Sequence, residues 1–354
     1  MAGLESNHSD REGPSGWWMT SNSTAVEHLD QVTYGILVVF IALIGCISNG
    51  LATYFLATDA QFRHSTGIIC INIGFANFAY SAIYLLYVGP MMLLNLGLQT
   101  GEPMPSFSLV VWFLFFAAQY FSFCLSANRA CAVLFPLAYY QHATVRTTMY
   151  ICVFVWVIST WHLIFFLLKI CPGIWFNAVQ SYLLDSSSIS STKPCVDFLR
   201  VNIEMYLLIG LSAFSLCSDV ACAFRVMLSP TIRAKMKASD LQFLYQSLFS
   251  SIFLCIECFL AGYVVANFVI SLTVYFILTT LNRVLGRATS GLLVLSFHRK
   301  LRARILRTFL SACVTMEREV TLVHPQRLIS QGEPQSNKST DTNGSRREVR
   351  TSPI

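Results

Sequence analysis

YGILVVFIALIGCISNGLATYFLA, Tyr34 to Ala57, runs without one charged side chain. About 20 apolar residues in helical form cross the roughly 30 Å of hydrocarbon in a bilayer, so this stretch reads as a membrane span. The rest of the chain agrees: 55% of its 354 residues are hydrophobic and only 12% are charged, against about a quarter charged in a soluble domain. Comparable windows occur near Gly67 to Leu93, Phe107 to Val133, Thr147 to Lys169, Ile203 to Leu228, Phe243 to Ala266 and Ile270 to Ser296. The last two run almost together and are divided around Asn267 on length, because one helix cannot absorb both and still span. The expected fold is an all-α integral membrane bundle of seven transmembrane helices, residues 34–296. It follows a polar segment, 1–33, and precedes an amphipathic helix, 297–310, and a tail, 311–354.

Lys and Arg near the span ends give the expected orientation. Arg63, Arg146, Arg225, Arg233, Lys235, Lys237, Arg299, Lys300, Arg302, Arg304 and Arg307 collect on one side, against Arg11, Lys169, Lys193 and Arg200 on the other. The richer side is expected to be cytoplasmic, with the N-terminus outside and the first span acting as its own insertion signal. The sequons at Asn7 and Asn22 are then placed for glycosylation, while those at Asn337 and Asn343 lie inside. The net charge of +6 follows from this asymmetry, which an anionic inner leaflet favours, and not from nucleic-acid binding.

Of the twelve cysteines, most fall within spans, where cysteine behaves as a small buried hydrophobe. Cys171 and Cys195 share the oxidising space after the fourth span, where a bridge forms readily; two free thiols are the alternative. Cys255 and Cys258 stand three apart on one helix face and do not make a redox or zinc site. No metal or cofactor motif is present, and no nucleophile, base and orienter combine into an enzyme site. His162 reads as interfacial packing.

LSANRACAVLFPLAYYQ, Leu125 to Gln141, places Arg129 at the end of the third span, where a cation can reach the interface. Pro136 follows at seven residues and Tyr139 at ten. This pattern, with Gly45 and Asn49 in the first span, Asn77 in the second and Trp156 in the fourth, resembles the rhodopsin-type G protein-coupled receptors. Asn128-Arg129 in place of an acid-arginine pair resembles the nematode chemoreceptor group called serpentine receptor class X. So do the loop from CPGIWF to KPCVDFLRVN, Cys171 to Asn202, and SDLQFLYQ, Ser239 to Gln246. The likeness covers roughly residues 35 to 310. Two positions depart from the wider pattern. Met104 stands where a cysteine is usual 25 residues before the arginine, and Ser290-Gly291-Leu292-Leu293-Val294 replaces Asn-Pro-x-x-Tyr.

The resemblance implies a chemosensory receptor at the plasma membrane that passes binding of a small extracellular ligand to a heterotrimeric G protein. Asn128, Arg129, Pro136 and Tyr139 would lie at the coupling face. The competing reading of Arg129 is a snorkelling anchor. Trp112, Phe115 and Phe116 form an aromatic wall suited to a small, mostly apolar ligand, or simply pack between helices. No lysine in the seventh span excludes a retinal Schiff base, and Val111, 18 residues before Arg129, argues against an amine.

Charges within spans are functional candidates. Glu257 and Arg283 each stand about 14 residues from one membrane face, roughly 21 Å deep, and are expected to pair, either lining the ligand pocket or tying two helices. Asp219 and Arg287 form a weaker set, with Asp219 read as polar packing. Beyond the last span, Phe297, Leu301, Ile305 and Phe309 recur four apart among basic residues, the pattern of a helix lying on membrane lipid. Cys313 is a candidate for lipidation, and from about Val320 the tail lacks the apolar surface to fold. The alternative reading is a seven-span ligand-gated channel subunit or a transporter; the absence of an internal repeat speaks against a transporter. Assembly into an oligomer is open on either reading.

Overall fold

The computed structural model of the chain describes residues 24–94, 105–167, 174–175, 183–184, 206–230, 234, 238–260, 274, 276–298, 301–308 and 310–311. Within them lie seven long helices. The first is Thr24–Thr58 and the second Ser65–Ile83, prolonged through a π-helical turn, Tyr84–Val88, into Gly89–Leu94. The third is Pro105–Leu134, the fourth Val145–Leu167, the fifth Leu208–Leu228 and the sixth Ala238–Cys258. The seventh is Asn282–Phe297, entered through a second π turn, Ile277–Leu281. Short helices Ala60–Phe62 and Pro136–His142 connect them, and a two-residue antiparallel pair sets Ile174 opposite Leu184 and Trp175 opposite Leu183.

The first π turn has a local cause. Pro90 has no N–H to offer a carbonyl one turn back and its ring crowds that turn. The Gly89 amide instead reaches the Tyr84 carbonyl five residues earlier, and the helix continues without breaking.

Among the described residues, five helices are long and apolar enough to cross a membrane by length and composition, the first, second, third, fifth and sixth, and Val145–Trp161 is a shorter apolar helix. The seventh carries Arg283 and Arg287, both buried, and packs against the first, second and sixth. Its charges therefore face protein, as helices in lipid require. The first helix shows the sorting well. Gly35, Val38, Ala42, Gly45, Asn49, Ala52 and Leu56 face inward, while Ile36, Phe40, Leu43, Ile47 and Tyr54 are exposed on the face that lipid would cover. The third helix touches the second, fourth, fifth and sixth and so occupies the centre. The chain is a multi-pass all-α membrane bundle.

The bundle lies in the unit Met1–Arg302. The seventh helix extends to Phe297, which stacks on Phe249 with ring centroids 5.7 Å apart. Phe297 therefore belongs to the bundle and not to the expected amphipathic helix. His298 breaks the helix, and residues 301–308 resume it. Leu301 is buried, while Leu306 and Leu310, in the second unit Ala303–Ile354, are exposed.

Candidate functional site

Two buried carboxylates and three buried arginines organise the interior. Glu257, 4% exposed, accepts a hydrogen bond from Arg287 Nη2 at 3.2 Å. The expected pairing with Arg283 is thus corrected: the hydrogen-bonded partner of the carboxylate is Arg287, one turn along. Side-chain direction explains this. Each Cα–Cβ bond tilts toward the N-terminus of its own helix, and the sixth and seventh helices run in opposite senses. Glu257 therefore leans toward the Arg129 end of the bundle while both arginines lean away from it. Arg287, placed nearer that end, rises to meet the carboxylate. Gly286 completes the fit, since a Cβ there would stand 2.6 Å from Glu257 Oε2.

Both guanidinium groups lie over the Phe115 ring, Arg283 at 5.1 Å and Arg287 at 4.9 Å from its centroid, and Arg287 also lies 6.0 Å from that of Tyr80. Desolvated cation–π contacts of this kind contribute on the order of 2 kcal/mol. Of the four residues expected to line a pocket, Phe115, Glu257 and Arg283 come together around Arg287. Trp112 joins them through its neighbours, stacking on Phe116 at 5.0 Å and meeting Phe115 edge-on at 6.5 Å.

Two internal cavities of about 30 Å³ each, room for a water molecule or two, adjoin this cluster. One is lined by Asn77, Glu257, Gly286 and Arg287; the other by Asn49, Gln246, Ser247 and Ser251; they share Ser122, Ser250 and Ser290. Neither is lined by Trp112 or Phe115. Asn49 donates to the Arg287 carbonyl at 3.0 Å and Ser48 to the Ala288 carbonyl at 3.3 Å, tying the first helix to the seventh. Gly291 permits that approach, because a Cβ there would stand 2.6 Å from the Asn49 backbone nitrogen. This gives a packing reason for the glycine within the altered seventh-helix motif.

Asp219 is fully buried, and one oxygen, Oδ2, accepts from three serines: Ser126 at 3.0 Å, Ser247 at 2.8 Å and Ser251 at 2.7 Å. Its polar packing is therefore hydroxyl packing, joining the fifth helix to the third and sixth. Ser247 and Ser251 escaped the sequence reading, although their four-residue spacing on an apolar helix is a legible stripe.

At the far end of the third helix, Asn128 donates to Thr66 Oγ1 at 3.2 Å. Pro136 opens the short helix Pro136–His142, where its missing N–H costs nothing, and Tyr139 is half-buried. Arg129 is 6% exposed, with its guanidinium 5.9 Å from the Phe243 ring centroid. The expectation that it reaches the interface is corrected. The third helix is enclosed by its neighbours, so the side chain finds an aromatic face before it finds lipid. His298, also unforeseen, packs on Phe243 and meets Gln246 Oε1 through Nε2 at 3.2 Å. Burial, and then the Arg129 charge, push its imidazole down to about 4, so it is neutral near pH 7.

Trp156 donates from Nε1 to Asn72 Oδ1 at 2.9 Å, tying the fourth helix to the second. The nine cysteines among the described residues are free thiols, and no group of His, Cys, Asp or Glu among those residues is placed to hold a metal ion. Cys171, Cys195, Asn7 and Asn22 lie outside the described residues.

No curated protein matches the chain. Residues 39–298 match the family described as serpentine type 7TM GPCR chemoreceptor Srx. That match covers most of the chain, from within the first helix to the end of the seventh, and by it the chain belongs to the Srx family of serpentine chemoreceptors.

Proposed function

We propose that the chain is a chemosensory receptor of the plasma membrane that couples binding of a small extracellular ligand to a heterotrimeric G protein. Membership of the Srx family over residues 39–298 is the observation that carries this reading. The N-terminus lies outside, with Asn7 and Asn22 glycosylated and Cys171 bridged to Cys195, and the tail lies in the cytoplasm, in keeping with the distribution of Lys and Arg. Asn128, Arg129, Pro136 and Tyr139 contribute the surface that meets the G protein. Phe115, Glu257 and Arg283, with Trp112 behind them, form the ligand end, and Arg287 belongs with them. A ligand shifts the receptor between closed and open arrangements only by its differential affinity for the two.

The test is a calcium response in cells co-expressing the chain with a promiscuous Gα subunit and challenged with a library of small volatile and water-soluble compounds. A saturable response that needs the Gα subunit, and that Arg129→Ala abolishes at equal surface level, is expected. A ligand-evoked current persisting in cells stripped of G proteins would overturn coupling in favour of the channel. Glycosidase sensitivity lost on Asn7→Gln with Asn22→Gln checks the orientation.

A further inference from the structure

We propose that the cavity beside Glu257 and Arg287 takes the hydroxyl head of a long-chain alcohol that enters from the lipid bilayer between the sixth and seventh helices. The inference rests on geometry for the binding, and on the receptor reading only for what occupancy signals. The walls of this cavity change character along its length. At the floor stand Asn77, 1% exposed, and the bonded pair Glu257 and Arg287. At the mouth stands Phe253, 45% exposed, with Thr289 and Leu293 half-buried beside it. Ile252 and Ile256 of the sixth helix and Leu285 and Leu292 of the seventh are exposed on either side, so in a bilayer the mouth meets hydrocarbon. The Thr289 hydroxyl donates to the Leu285 carbonyl at 2.8 Å, so the threonine makes no polar demand on the mouth.

The floor is polar and incompletely satisfied. Asn77 Oδ1 and Arg287 Nε are buried, and neither has a hydrogen-bond partner among the described residues. The oxygen calls for a donor and the N–H for an acceptor, and an unmet buried polar group is costly. A hydroxyl is the smallest group that is both. A volume of about 30 Å³ admits it, while a phosphorylated or choline head is too large. A carboxylate offers Asn77 Oδ1 no donor and brings a like charge to Glu257. Water meets the same two needs, but only an alcohol matches the whole gradient, with its head at Asn77 and its tail lying past Phe253 and Leu293 in hydrocarbon. Gly286 keeps the passage open, since a Cβ there would stand 2.6 Å from Glu257 Oε2 and displace the carboxylate.

The experiment uses the purified full chain in nanodiscs, without G protein, and a long-chain alcohol carrying a diazirine near its hydroxyl. After photolysis the labelled residues are read by mass spectrometry, with the unlabelled alcohol, its methyl ether and the matching carboxylic acid as competitors. Labelling is expected at Phe253, Thr289 and Leu293. The alcohol should displace it at a concentration about 10-fold lower than the ether, which accepts a hydrogen bond but donates none. Asn77→Ala is expected to close that gap, and Leu293→Trp, which fills the mouth, to remove the labelling. Should Asn77→Ala not reach the membrane, the ether comparison in wild type decides alone. Labelling spread evenly over outward residues such as Phe40 and Ile47 of the first helix overturns the site, as does equal competition by alcohol and ether or stronger competition by the acid; the cavity then holds water only. The same alcohol in the calcium assay is expected to give a saturable response that Leu293→Trp removes. Labelling without a response leaves the binding site standing and overturns its role in the receptor reading.

Discussion

Glu257 and Asp219 are both carboxylates buried in the same bundle, yet they are satisfied in opposite ways. Glu257 in the sixth helix is held by a guanidinium at 3.2 Å, with a second guanidinium within electrostatic reach. Asp219 in the fifth helix is held by three serine hydroxyls at 2.7 to 3.0 Å, all on one oxygen. The first arrangement concentrates its energy in one charged contact, and losing either partner leaves the other charge buried without it. The second divides its energy among neutral donors, and each serine can return its proton to a carbonyl of its own helix when the carboxylate is gone. Buried charge is thus brittle at Glu257 and tolerant at Asp219.

The largest expected effect breaks the brittle site. Glu257→Ala is predicted to destabilise the bundle by about 3 to 5 kcal/mol, read as a lower melting temperature in detergent and reduced surface level. The swap of Glu257→Arg with Arg287→Glu should restore part of the loss, and a swap no better than Glu257→Ala would remove the ion pair from the account. Next comes Asp219→Asn, expected to cost only about 1 to 2 kcal/mol by the same melt, because an amide oxygen still accepts from the serines. A loss as large as that of Glu257→Ala would erase the contrast between the two sites.

Acidification probes the third buried arrangement, at His298. Its folded value lies below the ordinary 6.5, so the stabilising neutral form is fully present above about pH 6.5 and is lost as pH falls toward 4. Lowering pH from 7.5 to 5 is predicted to cost wild type about 1 to 2 kcal/mol more than His298→Phe, by parallel melts. The smallest effect sharpens the tolerant case. Ser251→Ala removes one of three donors to Asp219 and should cost about 1 kcal/mol or less, with the double-mutant cycle against Asp219→Asn measuring the coupling directly.

Much of this architecture is legible in the sequence, and the parts that are not share a physical cause. The first helix announced itself because hydropathy is local: each of its residues meets lipid or protein according to a side set by helical period. Glu257 was legible as a functional or structural charge because no carboxylate rests alone in hydrocarbon. Depth counting points to Arg283 and not Arg287 because it follows Cα positions, while the contact is made by side-chain ends that tilt in opposite senses on antiparallel helices. Asp219 was read as polar packing, but its three donors come from two other helices, and only their neighbourhood brings them to one oxygen. His298 falls within the expected amphipathic helix 297–310, on none of its apolar positions, so nothing in the sequence points it at Phe243 and Gln246.

Composition and hydropathy alone determined that this is a membrane bundle, and the order of Asn49, Asn77, Arg129 and Trp156 along it pointed to its receptor family. Those properties are set by transfer from water to lipid and by spacing along one chain, and need no knowledge of neighbours. Tertiary structure decided that Glu257 takes Arg287, that Arg129 turns inward beneath Phe243, and that His298 stays neutral. Each of these depends on which side chains from distant segments meet inside the bundle, where a buried charge or polar group takes its partner from whatever the neighbouring helices supply.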